Sequence, residues 1–302
     1  MTSRVVAAFD IGTNAVQMRM AARDDAGSVR TFFDNNIITG LGRGVDRSGR
    51  LHSEAMNRTW AALSACMERV RDSASTVVAV GTSALRDASN RSEFTSRADE
   101  ILGVHVQVIS GEREAELTTR GALHDLPIQT CTLVDIGGGS TEFIAVQGGA
   151  IHHATSVNIG SVRLYERFVK HDPPELAELR ELDRAIDDAL QQVTFAGPLV
   201  ALAGTATSVG LIAKNQSADE VSSLHLRTIT DDEVRDVAQR LGAMRLADRR
   251  ALKGLHPDRA DVIVAGSAIL ARTLARASAS SVLLSDSGVR MGLLLEEFDR
   301  AV

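Results

Sequence analysis

One pattern of apolar and polar positions occurs twice along the chain. An apolar run, Val5 to Phe9, breaks at Asp10-Ile11-Gly12-Thr13-Asn14 and resumes as a strand-like stretch, Ala15 to Ala22, followed by Val29 to Thr39 and Gly40-Leu41-Gly42. Asp135, 125 residues after Asp10, opens the counterpart. There Leu133 and Val134 lead into Asp135-Ile136-Gly137-Gly138-Gly139-Ser140-Thr141-Glu142, and Thr141 to Val146 and Ala150 to Val157 repeat the strands. Each turn sits where a tight hairpin would join two strands. The period then changes. Met56, Trp60, Leu63, Met67 and Val70 recur at spacings of 4, 3, 4 and 3, one face of a helix that Ser53 is placed to cap. Leu176 to Val193 supplies the second half's helix. In both halves a strand then runs into a Gly-Thr turn, Thr76 to Val80 into Gly81-Thr82-Ser83 and Pro198 to Ala203 into Gly204-Thr205-Ala206.

Residues 209 to 302 read as mainly helical. Thr230-Asp231-Asp232-Glu233 is a capping box ahead of Val234, Val237, Leu241 and Met244. His256-Pro257 marks a break, with His256 read as a structural hydrogen-bonding residue. Ala260 to Ala275 is a largely apolar helix, Ser281 to Leu284 a short strand and Gly288 to Phe298 a last helix. Pro127 interrupts a helix just before the second half's first strand. The expected domains are therefore 1–125 and 126–302, the second enlarged by extra helices, with the last helix able to pack back on the first.

Composition narrows the class. With 302 residues, 44% hydrophobic and 24% charged, the chain can fill two separate cores. The apolar run after Met1 is too short for a signal-peptide core, and Val262 to Ala271 covers about half a membrane span, so a cytoplasmic protein without membrane association is expected. Cys66 lies among helical apolar positions and Cys131 opens a strand, which fits two buried, reduced thiols. A net charge of −6 argues against a general nucleic-acid binder. It leaves room for an anionic ligand held in a local field.

The two turns suggest what that ligand is. Glycines let backbone N–H groups approach an anion, Ser and Thr hydroxyls add donors, and an acidic residue at the start of such a turn can hold a cation or water. The duplicated turn points to two similar half-molecules facing one phosphorylated ligand.

With the segments after them, these turns resemble the actin and hexokinase superfamily, whose two ribonuclease-H-like domains of α/β class carry a cleft between them. More specifically, the chain resembles the exopolyphosphatase and guanosine pentaphosphate phosphohydrolase family, in its short two-domain form. The residues that carry the likeness run along nearly the whole chain: Asp10-Ile11-Gly12 with Asn14; Gly42 with Gly44-Val45-Asp46; Thr82 to Ala88 with Asn90; Ile109-Ser110-Gly111-Glu112 with Glu114-Ala115; Asp135 to Glu142; Asn158-Ile159-Gly160 with Val162-Arg163-Leu164; Ala203-Gly204-Thr205; His256-Pro257 with Arg259 to Ile263; and Arg290 with Gly292.

The resemblance implies hydrolysis of a terminal phosphate by water. It assigns Glu114 as general base, and Asp135 and Glu142 as catalytic acids that hold Mg²⁺ or Mn²⁺. It makes Asp10, Gly12, Thr13, Asn14, Arg86, Gly137, Gly138, Gly139, Ser140, Gly204, Thr205 and Arg290 the phosphate-binding set. It implies inorganic polyphosphate as substrate, with guanosine penta- or tetraphosphate as the alternative ligand, and a homodimer. A sugar-kinase-like phosphotransferase fits less well with 1 Trp, 1 Tyr and 8 Phe. A non-catalytic alarmone-binding regulator is the further alternative, kept open by departures from the family pattern. Ala15 replaces a serine, Gln17 stands where a basic or other polar residue is common, and Glu116 stands where arginine is frequent. An extra carboxylate there would raise the proton affinity of Glu114 if it faced the same site.

Overall fold

The apolar run at the start forms β1 (Val5–Ile11), which pairs antiparallel with β2 (Ala15–Arg23), as β2 does with β3 (Val29–Ile38). The protein is described by a computed structural model covering residues 4–71 and 73–300. After β3 come α1 (Val45–Ser48), α2 (Ser53–Val70), β4 (Thr76–Gly81), α3 (Ser83–Asp87), α4 (Arg91–Leu102), β5 (Gln107–Val108) and α5 (Gly111–Asp125). β4 lies parallel to β1, giving the sheet order β3-β2-β1-β4-β5. The second sheet begins with β6 (Cys131–Ile136), β7 (Thr141–Gln147) and β8 (Ala150–Val157), followed by α6 (Ser161–Phe168), α7 (Leu176–Leu190) and β9 (Leu199–Leu202). α8 (Ala203–Ala213), β10 (Thr228–Thr230), α9 (Asp231–Ala243), α10 (Leu246–Arg250), α11 (Ile263–Ala277), β11 (Ser281–Leu284) and α12 (Val289–Asp299) complete the chain.

The second sheet runs β10-β11-β9-β6-β7-β8, so its β8-β7-β6-β9 portion repeats the β3-β2-β1-β4 portion of the first. This is the ribonuclease-H-like α/β arrangement, present twice. Residues 1–121 with 288–302 form one compact unit and residues 122–287 the other. α12 therefore belongs with the first unit although it is last in the chain.

Alternation along β1 divides the first unit's core. Ala7, Phe9 and Ile11 face the helical layer of α2 and α4, where Met56, Trp60, Leu63, Met67 and Val70 are all buried and Trp60 stacks on Phe94 at 5.7 Å. Val6 and Ala8 point the other way, into a cluster with Leu117 of α5 and Leu294 and Phe298 of α12. On that side α5 and α12 touch backbone to backbone. A Cβ on Gly121 would lie 2.1 Å from the Gly288 carbonyl oxygen, and one on Gly292 would lie 2.0 Å from that of Leu117.

Two local expectations change. Ser53 is the first helical residue of α2, and the cap position is His52, without a side-chain capping bond. The Gly-Thr segments are not turns: Thr82 is the cap position of α3, and Gly204 and Thr205 lie in the first turn of α8. β9 passes straight into α8 because Ala203 takes a left-handed φ of 65°, which redirects the chain without intervening turn residues. The Thr230 capping box is present, with the Thr230 side chain accepting from the Glu233 N–H.

Candidate active site

In the first unit Asp10 continues the face of β1 that carries Val6 and Ala8, the side on which α5 and α12 pack. Glu114 is on the first turn of α5. It is 7% exposed, whereas Glu112 and Glu116 of the same helix are exposed, so helix geometry singles out one of three acidic residues. Arg86 of α3 reaches it with an Nη1 to Oε2 contact of 2.5 Å and also donates to the Ile109 carbonyl at 3.2 Å. Burial raises the proton affinity of the Glu114 carboxyl, and the Arg86 guanidinium works against that rise. Burial and the Glu114 charge push the Asp10 carboxyl up to about 7, with Arg290 and Arg86 opposing. The two carboxyls thus form an electrostatic pair flanked by two guanidiniums.

The first turn is closed by a Gly12 N–H donated to the Ala15 carbonyl at 2.9 Å. The Thr13 carbonyl accepts from the Gly42 N–H, and the Asn14 carbonyl from those of Thr39 and Gly40. The side chains are in the opposite condition. Asp10 Oδ1, Thr13 Oγ1 and both amide atoms of Asn14 are buried without a hydrogen-bond partner. Such a concentration of orphaned polar atoms marks a place where water or a ligand completes the bonding. Arg290, in the first turn of α12, comes to this site already held: its Nη1 donates to Asp34 of β3.

In the second unit Asp135 and Glu142 are directly opposite across β6 and β7, as Asp10 and Gln17 are across β1 and β2. Directly paired residues share a sheet face, so the second hairpin carries a carboxylate pair where the first carries a carboxylate and an amide. Glu142 is 2% exposed, and its Oε1 accepts from the hydroxyls of Ser140 and Ser156, each at 2.8 Å. The carbonyls of the Gly137-Gly138-Gly139 turn are taken up by the start of α6. Ser161 N–H donates to Gly137, Val162 N–H to Gly138 and Arg163 Nε to Gly139. Gly160 must lack a side chain for this, since a Cβ would stand 2.3 Å from the Gly138 oxygen. With the carbonyls occupied, the N–H groups of Gly138, Gly139 and Ser140 have no intramolecular acceptor among the described residues. Free N–H groups on successive residues of a turn are the kind of donors that can cradle an anion.

The carboxylate pair fits a hard divalent cation in one particular way. Among the described residues no cluster of three or more His, Cys, Asp or Glu side chains could enclose a metal. Mg²⁺ is ordinarily held by one or two carboxylates and completes its shell with phosphate oxygens and water. Asp135 and Glu142 match that donor set.

Gly204 and Thr205 have structural duties at the start of α8. The Thr205 hydroxyl is buried and donates to the Ile136 carbonyl at 3.3 Å, tying α8 to the end of β6. Gly204 leaves room for Arg259, whose Nη1 lies 2.2 Å from where a Cβ would be. Burial lowers the pKa of this guanidinium to about 10, and no carboxylate or acceptor partners it among the described residues. Arg259 is half-buried, and a partly desolvated cation without a carboxylate beside it suits an anionic ligand. Arg259 is thus a candidate phosphate ligand that motif reading passed over, although it lies inside the matched segment His256 to Ile263. Its place is fixed by neighbours: His256 Nδ1 caps the Pro257–Arg259 turn, and fully buried Arg249 donates from Nε to the Ala260 carbonyl at 2.7 Å. Glu116 takes no part. It is exposed and pairs with Arg113 at 2.9 Å, so the expected disturbance of Glu114 by that carboxylate is absent.

With this geometry in place, the chain matches the sequence profile of the Ppx/GppA phosphatase family across residues 20–301. The chain belongs to the Ppx/GppA phosphatase family. Among Ppx/GppA relatives, an exopolyphosphatase 2 of Mycobacterium tuberculosis is 36% identical over 288 residues, covering 90% of both chains. A guanosine-5'-triphosphate,3'-diphosphate pyrophosphatase of Photobacterium profundum is 33% identical over 97% of this chain, but the match spans only 59% of that longer protein. The crystal structure of the Aquifex aeolicus PPX-GPPA enzyme superposes with a TM-score of 0.81 at 29% identity, covering 97% of this chain and 99% of that one.

Proposed function

We propose that this chain is an exopolyphosphatase, a hydrolase that releases orthophosphate from the ends of inorganic polyphosphate. The observation that carries the reading is the buried Glu114 held by Arg86, in a chain that matches a relative named exopolyphosphatase over nine-tenths of both lengths. Glu114 accepts a proton from water as its oxygen attacks the terminal phosphorus. The bond from that phosphorus to the bridging oxygen breaks, and the electron pair leaves with the shortened chain. Desolvation makes Glu114 a better proton acceptor than an exposed glutamate, while the Arg86 guanidinium opposes that rise and favours the ionised form. Within the second unit the N–H groups of Gly138, Gly139 and Ser140 and the Arg259 guanidinium are donors suited to non-bridging phosphate oxygens, and within the first unit Thr13 and Asn14 are. A Mg²⁺ or Mn²⁺ ion at Asp135 and Glu142 would supply positive charge against the dense phosphate charge.

The same reading takes the protein as a cytoplasmic homodimer that needs no nucleic acid or membrane; sedimentation at micromolar concentration tests the dimer. Product analysis with polyphosphate, guanosine pentaphosphate and ATP with hexoses tests the activity. Orthophosphate from polyphosphate supports the proposal. Hydrolysis of guanosine pentaphosphate alone would assign the chemistry to the alarmone, sugar phosphorylation would make the chain a kinase, and binding without turnover would make it a regulator.

A further inference from the structure

Arg19 of β2 and Asp34 of β3 are register partners, and Arg290 of α12 reaches the same carboxylate. Asp34 Oδ2 lies 2.6 Å from both Nε and Nη2 of Arg19, and Oδ1 accepts from Nη1 of Arg290. The two guanidinium side chains are only 7% and 15% exposed. One carboxylate on an edge strand therefore separates two nearly buried cations. Beyond Arg290 the alternation continues inward: the Asp10 carboxyl feels Arg290, Arg86 and Glu114, and Glu114 is paired with Arg86.

Without Asp34 this arrangement does not hold. Arg19 and Arg290 repel, as their mutual effect on the Arg290 charge shows, and burial already weighs against Arg290 being charged. Asp34 opposes both. The cheapest relief on its removal is for the Arg290 side chain to swing away, since Arg19 is the more deeply enclosed of the two.

We propose that Asp34 is a positioning residue for hydrolysis: it fixes Arg290 beside Asp10 and so maintains positive charge next to the Asp10 carboxyl. The inference rests on the reading of Glu114 as the base and deepens it, because Asp10 is the carboxyl on which the Glu114 charge acts. Arg290, held in this way, acts on the Asp10 carboxyl through space whether or not it also touches phosphate.

The test uses the full chain with ¹³C-carboxyl-labelled aspartate, titrated by NMR without substrate and assigned with Asp10→Asn. In Asp34→Asn the Asp10 midpoint moves up by about one pH unit, because a cationic neighbour is lost. The pH profile of kcat on polyphosphate changes with it, and kcat at neutral pH falls. Asp34→Glu retains the charge and keeps the wild-type midpoint and profile. Asp34→Gln carries the same expectation as Asp34→Asn should the latter fail to fold. An Asp10 midpoint unchanged in folded Asp34→Asn overturns the proposal, as does a shift in Asp34→Glu as large as that in Asp34→Asn. Failure of the wild-type protein to hydrolyse polyphosphate would instead overturn the functional reading, and the substrate-free titration would still decide the role of Asp34.

Discussion

Glu114 Oε2 and Arg86 Nη1 are 2.5 Å apart, an ion pair in which the glutamate is nearly enclosed and the arginine is also tied to the backbone of Ile109. The pair resolves a conflict inherent in a buried general base. Enclosure strengthens the carboxyl's hold on a proton and so favours the neutral form, while the fixed guanidinium keeps the ionised form accessible. Glu114→Gln preserves shape and removes proton acceptance. Its expected effect is a loss of about 10²- to 10⁴-fold in kcat, with polyphosphate binding and melting temperature close to wild type. Steady-state kinetics and a binding titration check this, and a variant with half the wild-type turnover would sink the assignment.

Asp10 gives a stability signature with a defined sign. Its carboxyl rises from the ordinary 3.8 to about 7 on folding, so the folded state holds the proton more tightly than the unfolded chain does. That contribution is fully present below about pH 3.8 and is gone once the pH has risen through about 7. Asp10→Asn is therefore expected to melt above wild type at pH 8, with the difference shrinking steadily toward pH 4. A series of thermal melts reads this directly, and parallel curves for the two proteins would refute it.

Gly204 and Arg259 separate binding from folding. The atoms that a Cβ at 204 would meet are the far end of a flexible side chain, so Gly204→Ala is expected to expel the guanidinium at a cost in stability below about 1 kcal/mol. KM for polyphosphate should then rise about as much as in Arg259→Met. A rise in KM for Arg259→Met with none for Gly204→Ala would show that the two do not act together.

The contact of α5 with α12 allows no such escape, because the obstructing atom at Gly292 is the Leu117 carbonyl oxygen. Gly292→Ala is expected to cost on the order of 3 kcal/mol by overpacking, whereas Gly288→Ala, whose Cβ would meet nothing within 4 Å, should cost about 1 kcal/mol or less. Urea midpoints compare the two.

Asp135→Asn and Glu142→Gln should raise the Mg²⁺ concentration needed for half-maximal activity as well as lower the rate. Metal titrations of both variants superposing on wild type would place the cation elsewhere.

What the linear chain discloses is local. Asp10 to Asn14 and Asp135 to Glu142 are legible as hairpin turns because glycine and strand alternation act between near neighbours, and α2 is legible because its five apolar residues share one face. The Thr230 box is a bond between residues three apart. The proposed role of Arg259 depends on segments distant in sequence, since its approach to Gly204 brings together positions 55 apart and leaves no mark on the spacing of either. Asp34 is hidden for the same reason, being a single acid on an edge strand whose partner Arg290 lies 256 positions away. The passage of β9 straight into α8 was also out of reach, because it turns on the left-handed backbone of Ala203, a residue type that carries no turn signal.

The position of α12 has a consequence for how the protein is made. Val6 and Ala8 are synthesised long before Leu294 and Phe298, which cover them. Residues 122–287 are contiguous and can complete their own core as they leave the ribosome. Residues 1–121 must wait for α12 to be made with one face of their sheet bare, a long-range closure of the kind that slows folding and exposes a chain to aggregation and chaperone capture.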